Sequence, residues 1–336
     1  MDRGAPRVRA VNASGTVRPV GGVPSGVFWR RRMAAAGAVV LVVLGVAAAA
    51  GAFSGDETDA APRRSGRAAA AAKPALPELP RGGRAILPEY RVIAYYGAPQ
   101  STELGALGIG TPNVAARRLA AQARPYARSG RPVLPAMELI TVVANADAGA
   151  DGMYRTRQPD AIIGRYLRAA RRHKMLLVLD LQPGHSDFFR ETVRLERWLR
   201  EPDVGLALDP EWRMTDGQVP GQAIGRVEAR EVNATSAWLA QLVVAHQLPE
   251  KLFVLHQFTD DMVDDTALKP RPGLDMVLNA DGFGGRAIKK AKYRAFSRAA
   301  PSFHHGFKLF YEEDTNLMRP RGVLRLRPAP DVVVYE

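Results

Sequence analysis

The sequence contains no cysteine, which removes disulfide frameworks, thiolate zinc sites, cysteine nucleophiles and iron–sulfur clusters together. It also lacks a Gly-x-Ser-x-Gly elbow and the His-x-x-Glu-His and His-Glu-x-x-His zinc motifs, so serine hydrolases and the common zinc peptidases are unsupported. Acidic residues are scarce beside basic ones, 34 against 47, for a formal net charge of +13. Residues 1–32 carry seven Arg and one Asp (+6), residues 54–90 six basic and five acidic side chains (+1), and residues 91–336 thirty-four and twenty-eight (+6). A nucleic-acid-binding protein gathers such an excess on a folded face. Here nearly half of it lies on an N-terminal tail beside an apolar segment. That placement argues against a nucleic-acid partner and for a membrane.

The apolar segment is Met33–Phe53, 21 residues without a charge. At ~1.5 Å per residue it makes roughly 31 Å of helix, enough to cross a hydrocarbon core of ~30 Å. Arg30, Arg31 and Arg32 abut its start, and Asp56, Glu57 and Asp59 follow its end. The positive-inside rule then leaves residues 1–32 as a cytoplasmic tail and predicts a single-pass anchor with the C-terminal domain extracellular. The alternative is a signal sequence cleaved near Ala48 or Ala50, which would release the same domain as a secreted protein.

Residues 54–90 hold Pro62, Pro74, Pro77 and Pro80 and an Ala run from Ala68 to Ala72, with little branched or aromatic content. Such a segment cannot bury enough surface to offset its ordering entropy, and it reads as a disordered stalk or linker. From Arg91 onward, short β-rich runs alternate with amphipathic helical stretches. The runs are Arg91–Gly97, Pro132–Glu138, Met175–Gln182, Val204–Glu211, Leu252–Gln257, Leu274–Asp281, Gly306–Glu312 and Val332–Tyr335. Helices are expected over Asn113–Arg128, Asp160–His173, Asp187–Arg200, Arg226–His246 and Arg286–Ala299. In the second of these, Ile163, Tyr166, Leu167 and Ala170 recur at i, i+3, i+4 and i+7. Near-continuous apolar strands alternating with helices imply a parallel sheet covered on both faces. Eight such runs over residues 91–336 predict an α/β fold, a (β/α)8 TIM-like barrel. A doubly wound open sheet is the rival, weakened because no glycine-rich phosphate loop follows the first strand.

Chemistry in such barrels gathers where the strands end, because the βα loops converge there. Read in order, those ends carry Tyr96, Glu138, Asp180 with Gln182, Asp209 with Glu211 and Trp212, His256, Asp281, then Lys308 and Glu312. Asp209 and Glu211 stand at i and i+2, so on a strand both would point into the mouth. Two carboxylates that close repel, and the more buried one keeps its proton nearer neutrality, the condition for a general acid acting on a glycosidic oxygen. A buried Asp bonding loop amides, beside a Glu paired with an Arg, is the plainer alternative. Trp212 supplies an apolar wall or a platform for a sugar ring. Glu312 on the seventh strand could act as a nucleophile opposite Glu211, at the ~5–5.5 Å separation of retaining glycosidases. Asp180 could orient a hydroxyl or tune Glu211. Glu138 follows an apolar run and needs a partner, for which Lys308 is the expected one in a structural salt bridge. His256, Asp180, Asp209 and Asp281 could surround a divalent ion. However, Tyr95-Tyr96-Gly97 stands where metal-dependent barrel hydrolases carry His-x-His, so neither metal nor cofactor is expected.

The stretch Gly205 to Trp212 resembles the strand-four Asp-x-Glu of family 18 chitinase-like glycosidases and of family 25 muramidases. The resemblance implies Glu211 as the acid, with Asp209 assisting. Gly205, Leu206, Ala207 and Leu208 replace the acidic run that precedes the chitinase motif, a departure that bears on a substrate-assisted mechanism. The phrases YYGAPQSTELGALG, LDLQPGHSDFF, ALDPEW, LHQF and GFKLFYEED are also similar to a family of exported actinobacterial barrel proteins, which implies location and no chemistry. The combined expectation is an exported, membrane-anchored barrel acting on a cell-wall or capsular polysaccharide. Glu211, Asp209, Asp180 and Glu312 would be its reacting groups, and Tyr96, Glu138, Gln182, Trp212, His256, Asp281 and Lys308 its sugar-binding groups. The alternative is a barrel that binds a glycan or peptide without turnover.

Overall fold

The computed structural model describes residues 75–127 and 130–336. The basic tail, the Met33–Phe53 run and the linker up to residue 74 lie outside them. Among the described residues, no helix is long and apolar enough to cross a membrane.

The strands are β1 (Arg91–Gly97), β2 (Val133–Ala144), β3 (Arg155–Arg157), β4 (Leu176–Leu181), β5 (Val204–Leu208), β6 (Lys251–Gln257), β7 (Leu274–Ala280), β8 (His304–Leu309) and β9 (Val332–Tyr335). The helices are α1 (Pro112–Ala127), α2 (Asp160–Arg172), α3 (Phe188–Arg194), α4 (Glu196–Leu199), α5 (Ala229–Ala245), α6 (Arg286–Ala299) and α7 (Pro320–Val323). All strands but β3 run parallel in the order β1-β9-β8-β7-β6-β5-β4-β2, and a β1–β2 pairing closes the ring. The eight runs read from the sequence are the eight barrel strands.

Three local expectations need correction. The run expected to end at Glu138 continues through Leu139-Ile140-Thr141-Val142-Val143 to Ala144, and its extension pairs antiparallel with β3, whose Arg-Thr-Arg has no apolar alternation to betray a strand. The helix expected over Asp187–Arg200 breaks at Leu195 into α3 and α4. The fourth barrel strand, β5, ends at Leu208 instead of Glu211. Pro210 has no N–H to extend the ladder, and Pro210–Trp212 turns into a single 3-10 helix.

Side chains on the parallel strands alternate between two cores. Outward ones such as Ile93, Met137, Leu177 and Phe253 pack beneath Leu119 and Tyr126 of α1, Ile163 and Leu167 of α2, and their counterparts around the ring. Inward ones in the lower half are small or medium: Val92, Ala94, Leu134, Ala136, Val178, Ala207, Val254, Val277, Val332 and Val334. Leu79, Ile86 and Leu87 join that inner core and are at most 5% exposed. The last part of the segment read as a stalk is therefore a plug in the bottom of the barrel. Its backbone is bonded there, with Ile86 N donating to Glu250 (3.1 Å) and Leu87 N donating to Asp275 (3.1 Å). Arg84 reaches the carbonyls of Gln247 (3.0 Å) and Leu248 (2.9 Å).

Two titratable groups in this lower end make stability depend on pH with opposite signs. Burial, reinforced by the charge of Glu250, pushes the Asp275 carboxyl up to about 7. Burial also lowers Lys251 to about 7, where a neutral amine still donates to the carbonyls of Glu201 (2.8 Å) and Val204 (2.7 Å). Between pH 4 and 7 the folded state binds the extra proton at Asp275, so stability falls as pH rises. Between pH 7 and 10 the unfolded state binds the extra proton at Lys251, so stability rises. Asp275→Asn should remove the first slope and Lys251→Met the second, each seen as a pH-dependent difference from wild type in urea unfolding. A Lys251→Met difference that stays constant from pH 7 to 10 would show that this amine is charged in the fold.

Candidate functional site

The alternation that fills the lower barrel with Val and Ala brings polar groups inward in the upper half. Tyr96 follows Val92 and Ala94 on β1, Glu138 follows Leu134 and Ala136 on β2, Asp180 follows Leu176 and Val178 on β4, and His256 follows Leu252 and Val254 on β6. Asn279 of β7 fits beside Gly306 of β8, where an added Cβ would collide with its Oδ1. These groups, with Asp281 and Lys308, are at most 2% exposed. Buried polar groups are costly unless they satisfy one another, and here the partners are close.

His256 is held on both ring nitrogens, with Nε2 2.9 Å from Glu138 Oε1 and Nδ1 3.2 Å from Asp281 Oδ2. Burial disfavours a charged ring, yet Glu138 and Asp281 outweigh it, and the imidazole keeps its proton well above the ordinary histidine range. Lys308 Nζ lies 3.0 Å from Asp281 Oδ2, 2.7 Å from Glu336 Oε2 and 3.8 Å from the centre of the Tyr96 ring. The expected Glu138–Lys308 pair is therefore replaced by Glu138–His256 and Asp281–Lys308–Glu336, because barrel closure sets strand neighbours that spacing along the chain does not reveal. Glu336 and Asn279 were not singled out from sequence. Glu336 stands two and four residues beyond the inward Val334 and Val332, a period-two signal that would have found it.

A second group of contacts joins Asp180, Tyr96 and Asp209. Tyr96 Oη lies 3.4 Å from Asp180 Oδ1 and 3.2 Å from Asp209 Oδ2, and it accepts from Gln182 Nε2 at 2.8 Å. Gln182 is itself fixed by Ala144 N, which donates to its Oε1 at 3.1 Å. Burial first, and then the charge of Asp209, push the Asp180 carboxyl well above the usual range. The single Tyr96 hydroxyl thus faces a carboxyl oxygen on either side, Asp180 and Asp209.

Asp209 and Glu211 do not share a strand face, because the 3-10 turn intervenes; both are 2% exposed. Glu211 is anchored through its carbonyl, which accepts from Gly225 N at 2.7 Å, and its charge bears on Lys292. The Lys292 ammonium is bonded to Phe258 O at 2.7 Å. Glu312 lies beyond the end of β8 in an exposed turn. It lines a cavity of about 320 Å³ with Glu103, Glu313 and Glu336, of which Glu103 and Glu336 also line the cavity above the network, and Glu211 lines neither. The structure thus brings together Tyr96, Glu138, Asp180, Gln182, Asp209, His256, Asp281 and Lys308, with Glu211 and Trp212 on the adjoining turn and Glu312 outside.

The cavity directly above the network holds only about 20 Å³, between Tyr96, Ile140, Gln182, Trp212, Glu336 and the Glu103–Leu104 turn. That is room for a single water. Glu138, Asp180 and His256 offer ligand atoms within 4.8 Å of one another, a spacing compatible with a metal ion. Glu138 and His256 are bonded to each other directly there, at 2.9 Å.

No protein-family model matches the sequence, and no curated protein matches it. Among solved structures, the chain is similar to a GH5-4 broad specificity endoglucanase from Clostridum cellulovorans, at 9% identity and TM-score 0.39, over 74% of this chain and 84% of that one. It is similar to a GH18 chitinase from Pseudoalteromonas aurantia at 9% identity and TM-score 0.36, over 73% and 93%. A Ruminococcus gnavus sialic acid aldolase follows at 12% identity and TM-score 0.33, over 74% and 68%. The barrel itself is established by its own strand pairing.

Proposed function

We propose that this barrel cleaves a glycosidic bond in a cell-wall or capsular polysaccharide, with Glu211 as general acid/base, and that Met33–Phe53 tethers it outside the cytoplasm. The observation that carries the reading is the Asp180–Tyr96–Asp209 chain of contacts, in this reading a proton relay, which ends one residue before the turn bearing Glu211. A buried carboxyl at a barrel mouth is the kind of acid that glycosidic cleavage needs, because the leaving oxygen must be protonated as the bond breaks. Asp180 and Asp209 assist by holding one proton between them. His256, Glu138, Asp281 and Lys308 act as a brace, since their polar atoms are engaged with one another. Gln182 and Trp212 line the cavity that a sugar would enter, together with Glu103 and Leu104. Entry requires the Glu103–Leu104 turn to move, since a sugar ring needs far more than 20 Å³.

That tight mouth favours a second reading, a barrel that recognises a glycan along its rim without turnover. A panel of wall and capsular polysaccharides offered to the purified chain separates the two. The expected result is release of new reducing ends from at least one polymer. Tight binding with no release across the panel would favour the second reading, and neither binding nor release would end both.

A further inference from the structure

Beside the mouth, on the face formed by the βα loops, arginines cluster where neither the relay nor the brace uses them. Arg155 and Arg157 stand at i and i+2 on β3, and both grip Glu191 of α3, whose side chain is fully buried. Arg157 is bidentate, through Nε at 2.7 Å and Nη2 at 2.8 Å, while Arg155 adds Nε at 3.1 Å and reaches Asp151 with Nη1 at 2.8 Å. Burial alone would raise Glu191, but Arg157, with Ser186 and Arg155, holds it below the usual carboxylate range. It is a fixed anion that sets two guanidinium planes.

Arg190 and Arg194 follow on α3 at i and i+4, a like-charge spacing that disfavours a helix unless an anion answers it. Arg190 is tied to Asp187 at 3.2 Å, whereas Arg194 makes no ion pair or side-chain hydrogen bond among the described residues. Arg155, Arg157, Arg190 and Arg194 line a cavity of about 510 Å³ that also contains Ser186 and the ring of Phe189, which is 38% exposed. Arg157 and Arg194 continue into an adjoining cavity of about 320 Å³. Four guanidiniums face Asp151, Asp187 and Glu191. The carboxylates are engaged with Arg155, Arg157 and Arg190, and Asp160 of the adjoining cavity is paired with Arg197 at 3.0 Å, so the charge and the side-chain donors of Arg194 are left over.

We propose that this cavity is a subsite for an oxyanion carried on a sugar, a carboxylate or phosphate held by Arg157 and Arg194 while the ring lies against Phe189. Planar guanidiniums with parallel N–H donors match both oxyanions. The carbohydrate part rests on the function proposed above; the oxyanion part rests on the arginines alone. The relay and the subsite lie on the same face, so a charged polymer would be gripped beside the mouth that acts on a neighbouring unit.

The test is calorimetric binding to the purified full chain in detergent, with trigalacturonate, glucose 6-phosphate, neutral maltotriose and hexaglutamate as probes. Binding is read without turnover, so inactivity of the barrel leaves this result intact. One or both charged sugars should bind and maltotriose should not bind at this subsite. Uronate binding alone identifies a carboxylate source, and phosphate binding alone a phosphate source. Arg194→Gln, which removes an exposed side chain without breaking an ion pair, should weaken the charged sugar by about tenfold or more. Arg157→Gln should do the same, and a preserved unfolding midpoint would show that the loss is not one of folding. No binding of either charged sugar, binding indifferent to Arg194→Gln, or hexaglutamate bound as tightly as the sugars would overturn the proposal.

Discussion

A chain that begins at Arg91 should fail to unfold cooperatively, whereas one that begins at Leu76 should unfold in a single transition. The difference is the plug. Leu79, Ile86 and Leu87 are 4%, 1% and 5% exposed and pack on Val92, Leu134, Val254 and Val332 inside the barrel. Burying aliphatic side chains contributes roughly 1.5–3 kcal/mol each, so their removal costs about 5–9 kcal/mol. That is comparable to the whole stability of an ordinary domain, about 5–15 kcal/mol. The deletion also takes the Ile86 and Leu87 amides from Glu250 and Asp275, leaving carboxylates at the bottom of the barrel without those donors. A single substitution gives a graded version, since Ile86→Ala should lower stability by about 2–5 kcal/mol through the cavity it opens. Urea unfolding followed by circular dichroism reads both. A cooperative chain starting at Arg91, with unchanged midpoint, would return residues 79–90 to the linker.

The plug marks where sequence reading ran out. Leu79, Ile86 and Leu87 sit among Pro, Gly and Arg with no period, and composition alone makes that stretch look unable to fold. The barrel strands were legible because Val, Ile and Leu runs recur between helices whose apolar stripes are clear, as in Ile163, Tyr166, Leu167 and Ala170. Tyr96, Glu138, Asp180 and His256 of the inward polar ring were legible for the same reason, one period beyond the small apolar residues, whereas Asn279 and Glu336 were passed over. Its pairings were not. Glu138 meets His256 across the barrel from a strand more than a hundred residues away, and only closure and strand stagger bring them together. Asp209 and Glu211 failed differently. The i, i+2 rule holds for a strand, but Pro210 ends the strand between them, so the shared face was lost to a local turn.

Glu211→Gln should slow hydrolysis of a natural linkage by ~10²–10⁴-fold, the usual worth of a positioned proton donor. Gln keeps the size and hydrogen bonding of Glu but brings no transferable proton. The 2% exposed site should accept it with little change in fold. An activated aryl leaving group departs without help, so the same variant should be much less impaired on an aryl glycoside in the bond-cleaving step. That contrast separates an acid from a group that only binds. Asp209→Asn and Tyr96→Phe test the relay. Each interrupts the path from Asp180 through the phenol, and both should slow natural and activated substrates alike, because they disturb the site rather than the leaving group. Glycan affinity should survive Glu211→Gln, since Gln can still donate and accept. Full turnover of a natural linkage by that variant would remove Glu211 as the acid. Equal losses on natural and activated substrates would assign it to binding or positioning, and Asp209, at the end of the relay, would then be the carboxyl to test next.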